Sequence, residues 1–594
     1  MITRLADLGV SQAFAVTGGA AMHLNISLGN NDRINTVYMH HEQSCSMAAE
    51  GYARIAEKPA IVNVTSGPGA LNSLNGIFGA YTDSVPMLVI AGQSRTDTLK
   101  SYNETPLLRQ LGDQEVQSLV MVKEITKERI EITKQDSFEE VIAKIDYGYR
   151  LSLEGRPGPV WIEIPVDVQA REFSDVAMPP ILKLAPELQD SELDFKLLIE
   201  KLGKSNRPIF MFGTGVRIAN VQDQLISIAE EFSIPVVTAW THDTIDSKHE
   251  NFVGRAGTIG TRPGNICVQQ CDLLVVFGSR LNIRQISYNW DSFAKNAEII
   301  QIDIDPSELK KPFPRINVPM RADLRYFVPN FCRHMEKFNL NFSDWLLWCK
   351  SIKEKYDVKD SDYPTVEGSL NVYHVVPALI DECPPETVIV CGNATACIVP
   401  FQTARIRDEI RLFSNSGSAS MGYDLPAAIG ASLAGAKNVL CFAGDGSIML
   451  NIQELQTIKQ LQLNITVVVL DNGGYLSIKQ TQQNFFGSRF GADQVSGISF
   501  PNFAEIAKAF ALDTIVLDSK KWREEINGIF KSNSPSVLIV KLDSNQEFQP
   551  RLKSRMVNEK IETPELDDMF PFLSSEEVIE FREAPLMLRH REIK

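Results

Sequence analysis

The sequence predicts an α/β protein of three doubly wound parallel-sheet domains followed by a C-terminal tail. Three observations carry this expectation. Short β-branched runs alternate with helical apolar periodicity along most of the chain. A pattern within residues 48–91 recurs within 427–471, and three polar stretches divide the sequence. At 594 residues the chain has room for three or four domains of roughly 150 residues each.

The dividers set the boundaries. Phe173 to Glu192, with Pro179, Pro180 and Pro186 among acids, reads as a linker. Glu354 to Ser369 is charged and weakly apolar, and from Asn545 onward Glu, Lys, Arg and Pro dominate around an apolar patch at Met569–Leu573. The expected domains are therefore 1–172, 190–335 and 365–545, with a tail over 546–594. Its charge and apolar patch make that tail a candidate active-site lid.

Composition narrows the function. Apolar residues at 44% and charged residues at 22% are ordinary globular values. A net charge of −15 argues against a nucleic-acid partner, so an anionic ligand would need a local, donor-rich site. Runs such as Ile465 to Leu470 are too short for a membrane span, and Met1-Ile2-Thr3-Arg4 does not begin a signal peptide. The nine cysteines lack zinc-type spacing; even Cys267 and Cys271 read as reduced core thiols, and the expected location is the cytoplasm.

The repeat sets Ala48–Ala53 beside Ala427–Ser432, then two strands, Ala60 to Val64 and Val439 to Phe442. Each strand ends in a glycine turn, Ser66-Gly67-Pro68-Gly69 or Ala443-Gly444-Asp445-Gly446, and a second strand follows, Val85 to Ala91 or Ile465 to Asp471. In the second copy a right-handed βαβ unit brings neighbouring strand ends together, so Asp445 and Asn472 can converge in the crevice where such sheets bind ligands. One carboxylate, one amide oxygen and a backbone carbonyl form a hard oxygen set suited to Mg²⁺ holding a diphosphate. Glycines there let backbone N–H groups approach the phosphates. There is no Walker-type motif, and Gly213-Thr214-Gly215 lacks the third glycine of a dinucleotide fingerprint.

Asp445 through Asn472 resembles the thiamine-diphosphate motif, and the chain is similar to the acetolactate synthase-like family from roughly Gly9 to Leu542. Matching segments include His41-Glu42-Gln43, Thr65 through Asn72, Asp83-Ser84-Val85-Pro86, Gly155 through Val160 and Met421 through Ala428. The resemblance implies a pyrimidine-binding domain, a central domain and a diphosphate-binding domain. It makes Glu42 the catalytic carboxylate that promotes the imino form of the coenzyme's aminopyrimidine. Packing against Ser44–Ala49 is expected to desolvate Glu42 and raise its pKa. Glu50 is the rival carboxylate.

The same resemblance implies coenzyme contacts at Pro68, Asn72, Asn393, Ala419, Met421, Gly444, Asp445, Gly446, Ser447, Asn472, Gly474 and Tyr475. Among these, Met421 would wedge under the thiazolium, the Ala419 carbonyl would accept from the pyrimidine amine, and Asp445, Asn472 and the Gly474 carbonyl would hold the metal. Asn393 would contact the diphosphate. Asp471 departs from the family's usual paired asparagines.

Gln114 and Gly19 are the candidate substrate contacts. Asp113-Gln114-Glu115 stands where the family carries Phe-Gln-Glu, and Thr17-Gly18-Gly19 where Pro-Gly-Gly is common. Downstream of Tyr475 the chain is more similar to acyl-transferring enzymes of nucleotide-sugar and lipopolysaccharide pathways; Arg489 reads equally as a solvated cation or an anion clamp. The middle block resembles an FAD-binding domain, making FAD a candidate cofactor. The implied reaction is decarboxylation of a 2-oxo acid such as pyruvate, with transfer of the acyl carbanion to a carbonyl acceptor. A homodimer or homotetramer is implied, with no membrane partner. Three alternatives stand beside it: a decarboxylase or C–C hydrolase without ligation, an FAD-dependent oxidoreductase, and a non-catalytic relative.

Overall fold

The computed structural model describes residues 1–105, 107–173, 176–181, 195–365, 367–407, 409–517, 520–557 and 560–588. Most of the expected linker Phe173 to Glu192 lies outside them. Eighteen strands build three sheets. The first holds β1 (Gln12–Ala15), β2 (Asn35–Tyr38), β3 (Ile61–Val64), β4 (Met87–Gln93), β5 (Glu128–Glu131) and β6 (Pro159–Pro165). The central sheet holds β7 (Pro208–Phe212), β8 (Val236–Ala239), β9 (Phe252–Ala256), β10 (Leu273–Phe277), β11 (Glu298–Asp303) and β12 (Val318–Arg321). The last holds β13 (Thr387–Cys391), β14 (Arg411–Phe413), β15 (Asn438–Gly444), β16 (Ile465–Asp471), β17 (Asp513–Leu517) and β18 (Ser536–Lys541).

The three α/β domains expected from the sequence are present as parallel sheets. β3, β4, β6, β7 and β10 are buried along their whole length, as parallel strands with both faces covered by helices should be. The first sheet runs β2-β1-β3-β4-β6-β5 and the last β14-β13-β15-β16-β18-β17. Their orders are the same, as the sequence repeat implies. In each, chain direction across the sheet reverses between the first and third strands, which places a crevice at the carboxyl ends of β1/β3 and of β13/β15. The central order, β12-β11-β10-β7-β8-β9, is different and is the one found in dinucleotide-binding sheets.

The chain forms two compact units: one mainly of the first and last sheets, the other of the central sheet with the C-terminal segment. In the first unit the two copies of the repeat pack on one another. Helix Glu42–Ala56 crosses helix Asp424–Leu433 at Gly51 and Gly430. A Cβ on Gly51 would lie 2.3 Å from the Ala427 carbonyl oxygen, and one on Gly430 2.0 Å from that of Ala48. The small-residue runs that revealed the repeat thus exist because the backbones touch there.

The described residues of the C-terminal segment pack on the central unit. Leu566 and Phe581 are buried in the central unit's core with Cys267, Cys271 and Trp345. Arg262 donates to the Met569 and Pro571 carbonyls at 3.1 and 2.7 Å, and Arg582 pairs with the fully buried Asp567 at 2.7 Å. The Arg582–Asp567 pair lies beside tail residues that join this core. Phe581→Ala should therefore destabilise the central unit by about 3–5 kcal/mol, read as a lower thermal midpoint.

Candidate active site

The expected diphosphate half sits at the carboxyl ends of β13, β15 and β16. After Gly444 ends β15 in extended conformation, Asp445 opens the single turn Asp445–Ile448. The Asp445 carboxylate is buried; its Oδ1 accepts from the Gly446 N–H at 2.7 Å and its Oδ2 from the Gly474 N–H at 2.8 Å. Burial pushes its pKa up to about 6. Asn472, just after β16, donates to Thr395 Oγ1 at 3.3 Å, while its Oδ1 is buried without a hydrogen-bond partner.

Gly474 has φ +152°, and a Cβ there would stand 2.2 Å from the Ala492 carbonyl oxygen, so only glycine carries its N–H to Asp445. Its carbonyl accepts from the Leu476 N–H at 3.0 Å and keeps a second lone pair. The Tyr475 ring lies on Gly446, where a Cβ would be 2.1 Å from Cε1. At Gly444, by contrast, nothing stands nearer than 4.0 Å, which leaves a cradle beside Asn393.

These residues fit a divalent cation carrying a diphosphate. A buried carboxylate with only neutral donors and a neighbouring orphaned amide oxygen are the hard ligands Mg²⁺ takes, with phosphate and water completing its shell. Among the described residues no cluster of three or more His, Cys, Asp or Glu could hold a metal by itself. Asp471, the departure noted in sequence, pairs instead with Lys541 on the neighbouring strand.

Two of the expected contacts also bond to neighbouring groups of the chain. Asn393 Nδ2 donates to the Ala419 carbonyl, and its Oδ1 accepts from the Ala394 N–H at 2.7 Å. It therefore braces the carbonyl that was expected to meet the pyrimidine amine. The Ser447 hydroxyl donates to Asp424 Oδ2 at 2.5 Å and accepts from the Gly422 N–H at 2.9 Å, so it secures the turn after Met421. Ala419 has φ +50°, and Met421 is half-buried, outside the apolar core. Thr395 and Asp424 were not singled out in sequence, although both lie inside segments that were.

The expected pyrimidine half lies at the carboxyl ends of β1, β2 and β3. Glu42 is the first residue of its helix, capped by His41 Nδ1, which accepts from the Gln43 N–H at 3.0 Å. Glu42 Oε2 accepts from Asn72 Nδ2 at 3.0 Å, and Pro68 and Asn72 are exposed beside it. The full desolvation expected for Glu42 is not found: it is only half-buried, because the small residues that follow pack along the helix and not over its first turn. Glu50 is fully buried and bound to Arg54 at 2.7 Å, which removes it as a rival.

Gly19 and Gln114 flank this half. A Cβ on Gly18 would meet Thr65 at 2.5 Å, and one on Gly67 the Gln114 carbonyl oxygen at 2.6 Å, so both loops close on the Thr65–Gly67 turn. Buried Glu115 accepts from the N–H groups of Lys100, Leu111 and Gly112 at 2.8, 3.0 and 3.1 Å, pinning the loop with Gln114 turned outward. Arg489 pairs with Asp493 at 2.9 Å.

Comparison with known proteins accords with both halves. Three thiamine pyrophosphate (thiamine diphosphate) enzyme models match: the N-terminal binding domain over residues 1–118, the central domain over 195–331 and the C-terminal binding domain over 392–540. The probable acetolactate synthase large subunit of Methanococcus aeolicus is 30% identical across 89% of this chain and 88% of its own length. The acetolactate synthase large subunit of Lactococcus lactis is 29% identical across 94% of this chain and 95% of its own. The isozyme 2 large subunit of Escherichia coli is 28% identical across 91% and 94%.

The chain belongs to the acetolactate synthase-like family of thiamine-pyrophosphate enzymes. As a family member it is a coenzyme-dependent carboligase-type enzyme, and the crevice at Asp445 and Asn472 falls inside the C-terminal binding domain. Glu42, Pro68, Asn72, Gly19 and Gln114 fall inside the N-terminal one. No helix among the described residues is long and apolar enough to cross a membrane.

Proposed function

We propose that this enzyme decarboxylates a 2-oxo acid, pyruvate first among them, and transfers the acyl carbanion to a carbonyl acceptor. The observation that carries the reading is the pairing of buried Asp445 with the partnerless Oδ1 of Asn472 at a sheet switch point. Asp445, Asn472 and the Gly474 carbonyl would hold Mg²⁺, and the open cradle at Gly444 would receive the diphosphate. Thiamine diphosphate, when bound, would supply a thiazolium carbon able to store an acyl carbanion. Met421 and the Ala419 carbonyl would orient the coenzyme, and Glu42, steadied by Asn72, would hold a proton at its carboxyl beside the pyrimidine ring.

Gly19 and Gln114 bind substrate. With Asp113 and Gln114 exposed and no aromatic wall, that mouth suits a bulky acceptor, such as the ketone of a nucleotide sugar. The working form is at least a homodimer. Leu71 and Phe78, 40% and 41% exposed beside Asn72, and Met449 and Leu450, 39% and 46% exposed after the Asp445 turn, support a second copy covering both halves. FAD is a further ligand of the central sheet, supported by its strand order and by Thr214 and Arg280, both half-exposed, at the ends of β7 and β10. Gly213 and Gly278 there also serve the fold, since a Cβ on Gly213 would strike the Gly278 oxygen at 2.3 Å. Flavin fluorescence in the supernatant of heat-denatured protein tests this.

Product analysis by mass after incubation with pyruvate, with and without ketone acceptors, tests the reaction. The expected result is an acceptor enlarged by an acetyl unit; free acetaldehyde alone would assign a decarboxylase. Chelation with dialysis should abolish product formation, and Mg²⁺ with thiamine diphosphate should restore it.

A further inference from the structure

The segment 414–422 carries the Ala419 carbonyl and Met421, and its two ends are held differently. At the far end the Gly422 N–H is taken by Ser447, itself bonded to buried Asp424. The near end is held from the other half of the unit: the exposed Gly417 donates its N–H to Asp83 Oδ1 at 3.0 Å. Asp83 follows helix Leu74–Thr82 in the first domain, far from the diphosphate residues in sequence.

Asp83 is in turn fixed. Arg54 Nη2 reaches Asp83 Oδ2 and Glu50 Oε1, both at 2.7 Å, and its Nε reaches Glu50 Oε1 at 3.1 Å. Glu50 is fully buried on helix Glu42–Ala56, and that burial pushes its pKa up to about 7. A charged chain thus runs from a core carboxylate through a guanidinium to an exposed backbone N–H. The contact at Gly417 is close: a Cβ there would stand 2.3 Å from Asp83 Oδ1 and 2.8 Å from Thr82 Oγ1. Ser420 adds a second tie to the same domain, donating to Asn75 Oδ1 at 2.9 Å.

We infer that Asp83 is a positioning residue for the coenzyme: held by Arg54 and Glu50, it grips Gly417 and sets the segment that presents Ala419 and Met421. This inference rests on the function proposed above. A buried ion pair contributes little net stability but fixes geometry where alternatives would leave a charge unpaired. Here the fixed object is a loop whose own residues include Ala419 at φ +50°.

The test is titration of thiamine diphosphate with Mg²⁺ into the full-length protein, read by intrinsic fluorescence. Asp83→Ala should raise the Kd about tenfold or more, the loss of one charge-assisted hydrogen bond. Asp83→Asn, which keeps an acceptor for Gly417, should recover most of the affinity. Gly417→Ala sets a Cβ against Asp83 Oδ1 from the loop side, leaving the Asp83 carboxylate in place, and should raise the Kd similarly. A Kd equal to wild type in Gly417→Ala, or equal losses in Asp83→Ala and Asp83→Asn, would overturn the inference alone. A wild-type protein that binds no coenzyme would overturn the proposed function with it.

Discussion

Replacing Glu42 by Gln should lower turnover by about 10²–10⁴-fold, the usual contribution of a positioned proton-transfer group, while leaving coenzyme affinity near that of wild type. The reason lies in how the side chain is held. Glu42 opens its helix under a cap from His41, and its carboxylate accepts from Asn72, another polar neighbour of the same crevice. Glutamine preserves the shape and an acceptor oxygen but cannot give up or receive the carboxyl proton. The variant should also fold normally, since the half-buried first turn contributes little to the core. The check is kcat under saturating coenzyme beside a separate binding titration. Turnover retained within a few-fold would remove Glu42 from the chemistry.

The second large effect is expected at Asp445. Asp445→Ala removes the sole carboxylate of the proposed metal site and leaves the Gly446 and Gly474 N–H groups without their acceptor. Coenzyme affinity in the presence of Mg²⁺ should fall by more than the roughly 10–100-fold typical of losing an outer-shell partner. Activity at low coenzyme should vanish and return only in part at high concentration. Asp471→Asn is the internal control: its carboxylate pairs with Lys541, so coenzyme affinity should be unchanged. An Asp445→Ala enzyme binding coenzyme as tightly as wild type would show that the metal lies elsewhere.

Much of this architecture is legible in the sequence because parallel sheets write it plainly. Val439–Ala443 is an uninterrupted apolar run and Ile465–Leu470 is apolar but for Thr466, and glycine turns follow both. The repeat is visible because Gly51 and Gly430 must let two helix backbones meet. The bonds of Asn393 and Ser447 are not legible: each is made to a partner, Ala419 or Asp424, that no spacing rule connects to it. The Asp83–Gly417 bond joins residues 334 positions apart, beyond any periodicity. The packing of the C-terminal tail is not legible either: its charges read as a solvated segment, yet Asp567 and Arg582 pair with one another, and Leu566 and Phe581 enter a core supplied by another part of the chain.

A crystal structure of the protein grown with thiamine diphosphate and Mg²⁺ tests the central claim most directly. The account predicts a metal ion ligated by Asp445 Oδ, Asn472 Oδ1 and the Gly474 carbonyl oxygen, with the diphosphate beside Gly444 and a Glu42 carboxyl against the pyrimidine ring. A coenzyme bound away from Asp445 and Asn472, or a Glu42 turned from the ring in every subunit, would contradict it.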